Sequence, residues 1–324
     1  MPKEITHWII ALETASRLGS GGEAGKAIAD RTEAYLLGAV AHDGPYYARK
    51  DPLMALAGDR LHGRGVDDAF ACVKRAVTTG RAGDGTKPPP SAIAFAAGAL
   101  THIAADIVFH PAVFYFTGFP SHPDRRIADS YMYRHWGFEA ALDMHYLSER
   151  GKGSPRKTAR LYRHALKRDD ADELLEAIAR FYATGGETPS VKAADAVMRG
   201  AGRTQGLFGI APLRLLAKIL NAPQAGKNAD ASAAFYARRG PWEGWMSGEK
   251  PFKDPVTGED GIFEVGACFD SAVNTALGFM RRLESSLSGD ARAFPLPGPC
   301  LDTGMPLDDG RIMRHCDPRL LGGA

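Results

Sequence analysis

The sequence predicts an all-α fold, a multi-helix bundle ending in an irregular tail. Apolar residues recur at helical spacing in nearly every segment, and no apolar–polar alternation persists beyond a few positions. Breaks rich in Gly and Pro fall where helices would end. The 324 residues, 44% hydrophobic and 24% charged, suffice for a large core and match neither a disordered nor a fibrous chain. Forty basic against 38 acidic side chains leave a formal +2, which excludes a global bias toward polyanions.

Residues 4–18 form the first predicted helix, with Ile5, Trp8, Ile9 and Leu12 at helical spacing and a GSGG stop. Its start, MPKEITHWIIALE, puts Glu4 and His7 where a signal peptide would be apolar, so it reads as part of the mature fold. A second helix is expected over 24–40, closing at Ala41-His42-Asp43-Gly44. DPLMALAGDRLHGRG reads as a short helix with a Gly-rich exit after His62. Residues 66–80 form another, and GDGTKPPP is a connector.

The longest apolar stretch, Ser91 to Gly118, would serve as a membrane span but for His102, Asp106 and His110, each costing several kcal/mol in a bilayer. It reads as a core helix that Pro111 kinks or restarts. Four scattered cysteines (Cys72, Cys268, Cys300, Cys316) without a CxxC pair suit a reducing compartment. The expectation is a soluble, cytoplasmic protein. Further helices are predicted over 127–148, 155–168, 170–183, 190–199, 207–221 and 262–286. Neither 236–261 nor the last 35 residues has a usable period.

Eight of the ten histidines lie in the first 145 residues. In THIAADIVFHP, His102, Asp106 and His110 are four apart, each step turning ~400° and rising ~6 Å, so they share one slowly drifting stripe. Their neighbours make this the most apolar helix of the chain, and each buried polar group left unpaired costs about 1–3 kcal/mol. A divalent metal satisfies all three together. The next helix repeats the device with His135, Glu139 and Asp143. Two such stripes resemble the way helix bundles build multinuclear sites, and nitrogen and carboxylate donors suit zinc, with manganese or iron as rivals. A lone His–x3–Asp pair is more often a salt bridge or a cap; the second stripe tips the balance to metal.

On these residues the chain resembles the zinc-dependent phospholipase C family, and more distantly the S1/P1-type nucleases. The shared features are Thr6-His7-Trp8, LLGAVAHD ending at Asp43, Gly58-Asp59-Arg60-Leu61-His62, His102-x3-Asp106 with His110-Pro111, and His135-x3-Glu139, together spanning residues 4 to 146. The resemblance implies that Asp43, His62, His102 and Asp106 bind one zinc and that His110, His135 and Glu139 bind a second. His7 with a shared Asp106 would bind a third. It implies a phosphoric ester hydrolase in which metal-activated water, oriented or deprotonated by Asp43, attacks a phospholipid-like phosphodiester. Asp143 is expected to accept a hydrogen bond from a ligating histidine. Secreted relatives complete the third site with a mature N-terminal Trp, whereas here MPKEI precedes His7, so two or three ions stay open. Gly44 follows Asp43 where choline-hydrolysing relatives have an aromatic residue. Choline specificity therefore does not carry over, and Tyr47 is nearby without a defined role.

Residues 1–150 are thus expected to form the metal-site core, 151–288 the helices completing the same domain, and 289–324 the tail. Other readings are a metal-stabilised binding or scaffold protein, a nuclease-like enzyme, and an HD-type phosphohydrolase built on His42–Asp43 with His7 and Asp106. The last leaves the His135–Glu139 stripe unexplained. From Arg150 to Arg168 there are eight cations and no acid, so Arg156, Lys157, Arg160 and Arg163 are candidates for contact with an anionic membrane or another polyanion. Such a run is usually a solvated face, and nucleic acid is disfavoured as a partner. The oligomeric state is open. His122 and His145 read as loop and helix-end residues. Trp242 and Trp245 are expected to pack the tail on the bundle, and Cys300 and Cys316 have no assigned role.

Overall fold

A computed structural model describes residues 3–47, 52–63, 68–78, 87–119, 122–153, 157–221, 231–236, 243–290, 292–295, 297–307 and 309–318. Within them the chain is helical, as expected. The helices are α1 (Glu4–Leu18), α2 (Glu23–Asp30), α3 (Thr32–Gly38), α4 (Pro52–Leu61), α5 (Ala69–Val77), α6 (Pro90–Thr117) and α7 (Arg125–Arg150). They continue with α8 (Thr158–Ala165), α9 (Ala171–Phe181), α10 (Val191–Phe208), α11 (Ala211–Asn221) and α12 (Val265–Leu287).

α6 is the axis. Mostly Ala, Ile, Leu and Phe on every face, it is buried almost all round, with α3 and α12 as its most extensive neighbours and α1, α2, α5, α7 and α9 beside them. By length and composition α6 could cross a membrane, yet most of its apolar window is buried inside the protein. The tightest approach is between Gly38 of α3 and Gly98 of α6. A Cβ on Gly38 would strike the Phe95 carbonyl, and one on Gly98 the Tyr35 carbonyl. Two glycines facing each other let the backbones touch, which brings Ala39 and the segment after it up to the stripe on α6.

Four expectations are corrected. The helix expected over 24–40 breaks at Arg31 (φ −126°, ψ 48°), whose guanidinium is held by Asp30, Asp169 and Asp170, so tertiary ion pairs override local propensity. Pro111 does not restart the element: α6 runs as one helix from Pro90 to Thr117 with Pro111 inside it. α10 continues past its expected end at 199 to Phe208, its glycines tolerated because Gly202 lies where a Cβ would press on Ala159 of α8. The stretch expected to lack structure holds a hairpin, β1 (Lys250–Lys253) paired antiparallel with β2 (Asp260–Phe263). Four residues per strand is too short a run for period-two patterning to show.

Trp245 packs against Phe116, Phe138 and Phe263, docking the hairpin segment on α6 and α7 as expected. Trp242 and Arg156 lie outside the described residues. Lys157, Arg160 and Arg163 are exposed on or beside α8. His122 is a loop residue accepting from Asp124 N, and His145 pairs with Glu149 near the end of α7.

Candidate metal centre

The eight candidate ligands are all buried and fall into three convergent groups. The first joins Asp43, from the turn after α3, with His62, just past α4, and His102 of α6. The second is His7, His102 and Asp106. The third is His110, His135 and Glu139. In each group the donor atoms lie within 4.8 Å of one another.

The individual separations match a shared cation. Donors on a tetrahedral zinc stand ~3.3 Å apart, given metal–donor bonds of about 2.0–2.1 Å. Here His62 Nε2 is 3.5 Å from Asp43 Oδ1 and 3.8 Å from Asp106 Oδ2. His102 Nε2 is 3.0 Å from Asp106 Oδ2 and 3.9 Å from Asp43 Oδ1. Asp106 turns its other oxygen to His7 Nε2 at 3.6 Å, so its two oxygens face different histidines, while His102 is common to two groups. His135 Nε2 and Glu139 Oε1, one turn apart on α7, are 2.7 Å apart.

A donor set built for metal should leave its inward atoms without protein partners. His7 Nδ1 and Nε2, Asp43 Oδ1, His102 Nε2, both oxygens of Asp106 and His110 Nε2 are buried with no hydrogen bond. On three of the histidines the outward nitrogen is occupied. His62 Nδ1 lies 2.7 Å from Gly58 O, His102 Nδ1 3.0 Å from Ala39 O, and His110 Nδ1 2.6 Å from Leu301 O. Donating Nδ1–H to a carbonyl fixes the tautomer and points the Nε2 lone pair inward, the usual support of a ligating imidazole. Burial, together with the neighbouring imidazoles, holds His7, His42 and His110 well below the ordinary histidine pKa, so they are neutral and fit to coordinate. For His102 burial acts the same way, but the Asp106 and Asp43 carboxylates outweigh it and raise its pKa. The residues fit a zinc centre.

Two site assignments change. Asp143 does not receive a hydrogen bond from a ligand. Its oxygens accept from Ile5 N, Thr6 N, Thr6 Oγ1 and Tyr236 Oη, so it anchors the first turn of α1, the helix that carries His7. The HD-type reading loses the histidine of its His42–Asp43 dipeptide. His42 stands outside every convergent group, stacked on His102 at 4.6 Å with Nε2 3.8 Å from Cys72 Sγ.

Sequence reasoning missed the part played by the tail. Residues 300–305 form a turn in which Cys300 N donates to Met305 O, Gly304 N donates to Cys300 O and Leu301 N donates to His62 O. The turn thus holds the loop of one ligand and, through the Leu301 carbonyl, the ring of another, with Asp302 Oδ1 3.7 Å from His110 Nδ1. A backbone carbonyl has no residue signature, and nothing in the sequence would have revealed it. Also missed is a polar nest beside the centre. Glu4 meets Tyr47 Oη at 3.4 Å and Tyr236 Oη at 3.0 Å, while the Lys3 ammonium lies 3.9 Å from the Phe208 ring centre. Burial pushes the Glu4 carboxyl up to about 7 and the Lys3 ammonium down to about 8, each partly offset by the other's charge. Tyr47 thereby gains a place. Gly44 packs against Tyr182 Oη and Val197 with no room for a side chain.

A helix bundle whose central axis and flanking elements bring eight buried imidazole and carboxylate donors into three convergent groups has the donor chemistry of a divalent-metal protein. Among known families, the model described as zinc dependent phospholipase C matches residues 6–185, more than half the chain and the stretch that contains all eight donors. The chain belongs to that family. No curated protein and no solved structure matches it.

Proposed function

We propose that this protein is a zinc-dependent hydrolase that cleaves the phosphodiester of a phospholipid-like substrate. The observation that carries the reading is the convergence of buried donors whose inward atoms have no protein partner. Asp43, His62, His102 and Asp106 would hold one ion and His110, His135 and Glu139 a second. His7 with Asp106 offers part of a third position. When bound, zinc supplies Lewis acidity, which makes water a competent nucleophile near neutral pH and draws charge from phosphoryl oxygens.

The chain's own residues supply orientation. Carbonyls of Gly58, Ala39 and Leu301 lock three imidazoles in one tautomer. Asp43 is the most exposed member of its group, with Oδ1 unpartnered, which suits it to orient or deprotonate the attacking water.

The test pairs metal analysis with hydrolysis of a chromogenic phosphodiester, vesicles of mixed phospholipid headgroups and single-stranded DNA, each with and without chelator. Chelator-sensitive release of diacylglycerol is expected. Zinc bound without turnover would instead mark a scaffold, and preferential cleavage of DNA a nuclease; either outcome removes the reading.

A further inference from the structure

Nine large hydrophobic side chains are exposed among the described residues, and five of them (Leu207, Ile210, Leu215, Leu216, Ile219) lie at the end of α10 and along α11. Leu215, Leu216 and Ile219 are 60%, 49% and 58% exposed. At ~100° per residue, Pro212, Leu215, Ile219 and Leu216 fill one stripe about 100° wide, and Lys218 lies about 60° to one side of it. The opposite face, with the partly buried Leu213 and Ala217, is the one left to pack on the 231–234 turn. α11 therefore turns an apolar stripe to water. Clustered exposed apolar groups of this kind mark an interaction surface.

The charge around the stripe says what it meets. Beyond Arg199, which pairs with Asp195, the end of α10 and α11 have no acid and three cations: Arg203, Arg214 and Lys218. α10 also packs on α8, the helix of exposed Arg160 and Arg163. Apolar side chains flanked by cations, with acids absent, complement the acyl boundary and phosphates of an anionic lipid surface. The location fits the chemistry. Phe208, last residue of α10, lies 6.3 Å from the Tyr47 ring, and Tyr47 closes the turn that begins just after Asp43.

We propose that α11 with the end of α10 is an interfacial anchor that seats the protein on anionic phospholipid. The choice of lipid rests on the phospholipid reading above, whereas the surface does not depend on catalysis.

The test is co-sedimentation of the full chain with phosphatidylcholine vesicles, with and without phosphatidylglycerol, at low and high salt. Wild type should pellet with the anionic vesicles and be released by salt. Leu216→Ser/Ile219→Ser should weaken binding at least about tenfold, and Lys218→Glu should remove the preference for anionic lipid. Leu215→Ser, judged by an unchanged melting curve, guards against misfolding of the double variant. Hydrolysis of a soluble chromogenic phosphodiester should be the same in all four proteins, and its failure in wild type would count against the proposed activity alone. The anchor is overturned if wild type does not pellet or if the variants pellet equally. It is equally overturned if wild type is a dimer that the Ser variants dissociate, since a second copy would then cover the face.

Discussion

Asp106 and His102, one turn apart on α6, meet at 3.0 Å between Oδ2 and Nε2 without the alignment of a hydrogen bond, while Asp106 Oδ1 faces His7 at 3.6 Å. Two buried oxygens with no donor would each cost about 1–3 kcal/mol in the bare protein, a cost that cations between the groups would relieve. Asp106→Asn keeps the shape but removes the charge and replaces one oxygen with an amide nitrogen that cannot ligate. It should lose at least one zinc by metal analysis and more than about a hundredfold in activity. Chelation of the wild type should lower the melting temperature, and added zinc should restore it. Full zinc content in the variant would show that Asp106 is not a ligand.

The contact of Gly38 with Gly98 sets how near the Ala39 carbonyl comes to His102 Nδ1. Gly98→Ala would drive a methyl into the Tyr35 carbonyl, and neither backbone can yield without moving a helix. A loss of about 3 kcal/mol is expected in chemical denaturation, with weaker zinc binding, because His102 loses its orienting acceptor. Gly206→Ala on α10, where a Cβ meets nothing, should instead raise stability by about 0.5–1 kcal/mol. Equal effects from the two would remove the close approach as the explanation.

The stripes on α6 and α7 were legible because a four-residue spacing is a purely local signal. Their destinations were not. Each step of four drifts ~40° around the helix, so a residue eight positions on has rotated ~80°. His102 and His110 therefore serve different groups, and Asp143, eight beyond His135, reaches α1 instead of the centre. Asp43 and His62 lie on irregular backbone and are assigned to a particular metal position only through family resemblance. Arg31 hid a helix break because its partners, Asp169 and Asp170, are far along the chain.

Gly304 adopts φ 71° and lies where a Cβ would come within 3.0 Å of the Ile107 carbonyl. Pro111 has no N–H to offer that carbonyl, so the tail turn packs where the α6 ladder is interrupted. Gly304→Val should strain the 300–305 turn and shift the Leu301 carbonyl from His110. Zinc affinity at the His110–His135–Glu139 group should drop about 10–100-fold, with the other group retained. Competition titration with a chromophoric chelator resolves the two steps, and unchanged affinity in both would exclude the tail from the centre.

Arg31 Nε bridges both oxygens of Asp170 at 3.0 and 3.1 Å, and Asp170 Oδ2 also accepts from Ser91 N at 3.1 Å. The clamp ties the α2–α3 break to the starts of α6 and α9. Partial burial opposes ionisation of Asp170, but the hydrogen bonds from Ser91 and Arg31 outweigh it and hold the carboxyl below its ordinary range. A folded pKa depressed below the unfolded one means that the unfolded chain binds the proton more readily. The stabilisation is therefore complete above the unfolded value of about 3.9 and is lost as pH falls through the lower folded value. Asp170→Asn should cost about 2 kcal/mol at neutral pH and nothing further in acid. Acid also strips metal from the histidines, but that contribution is common to both proteins and cancels in their difference. Denaturant midpoints measured from neutral pH down to the acid limit should converge for wild type and variant as Asp170 protonates. A gap that stays constant would mean that the clamp's charge contributes nothing.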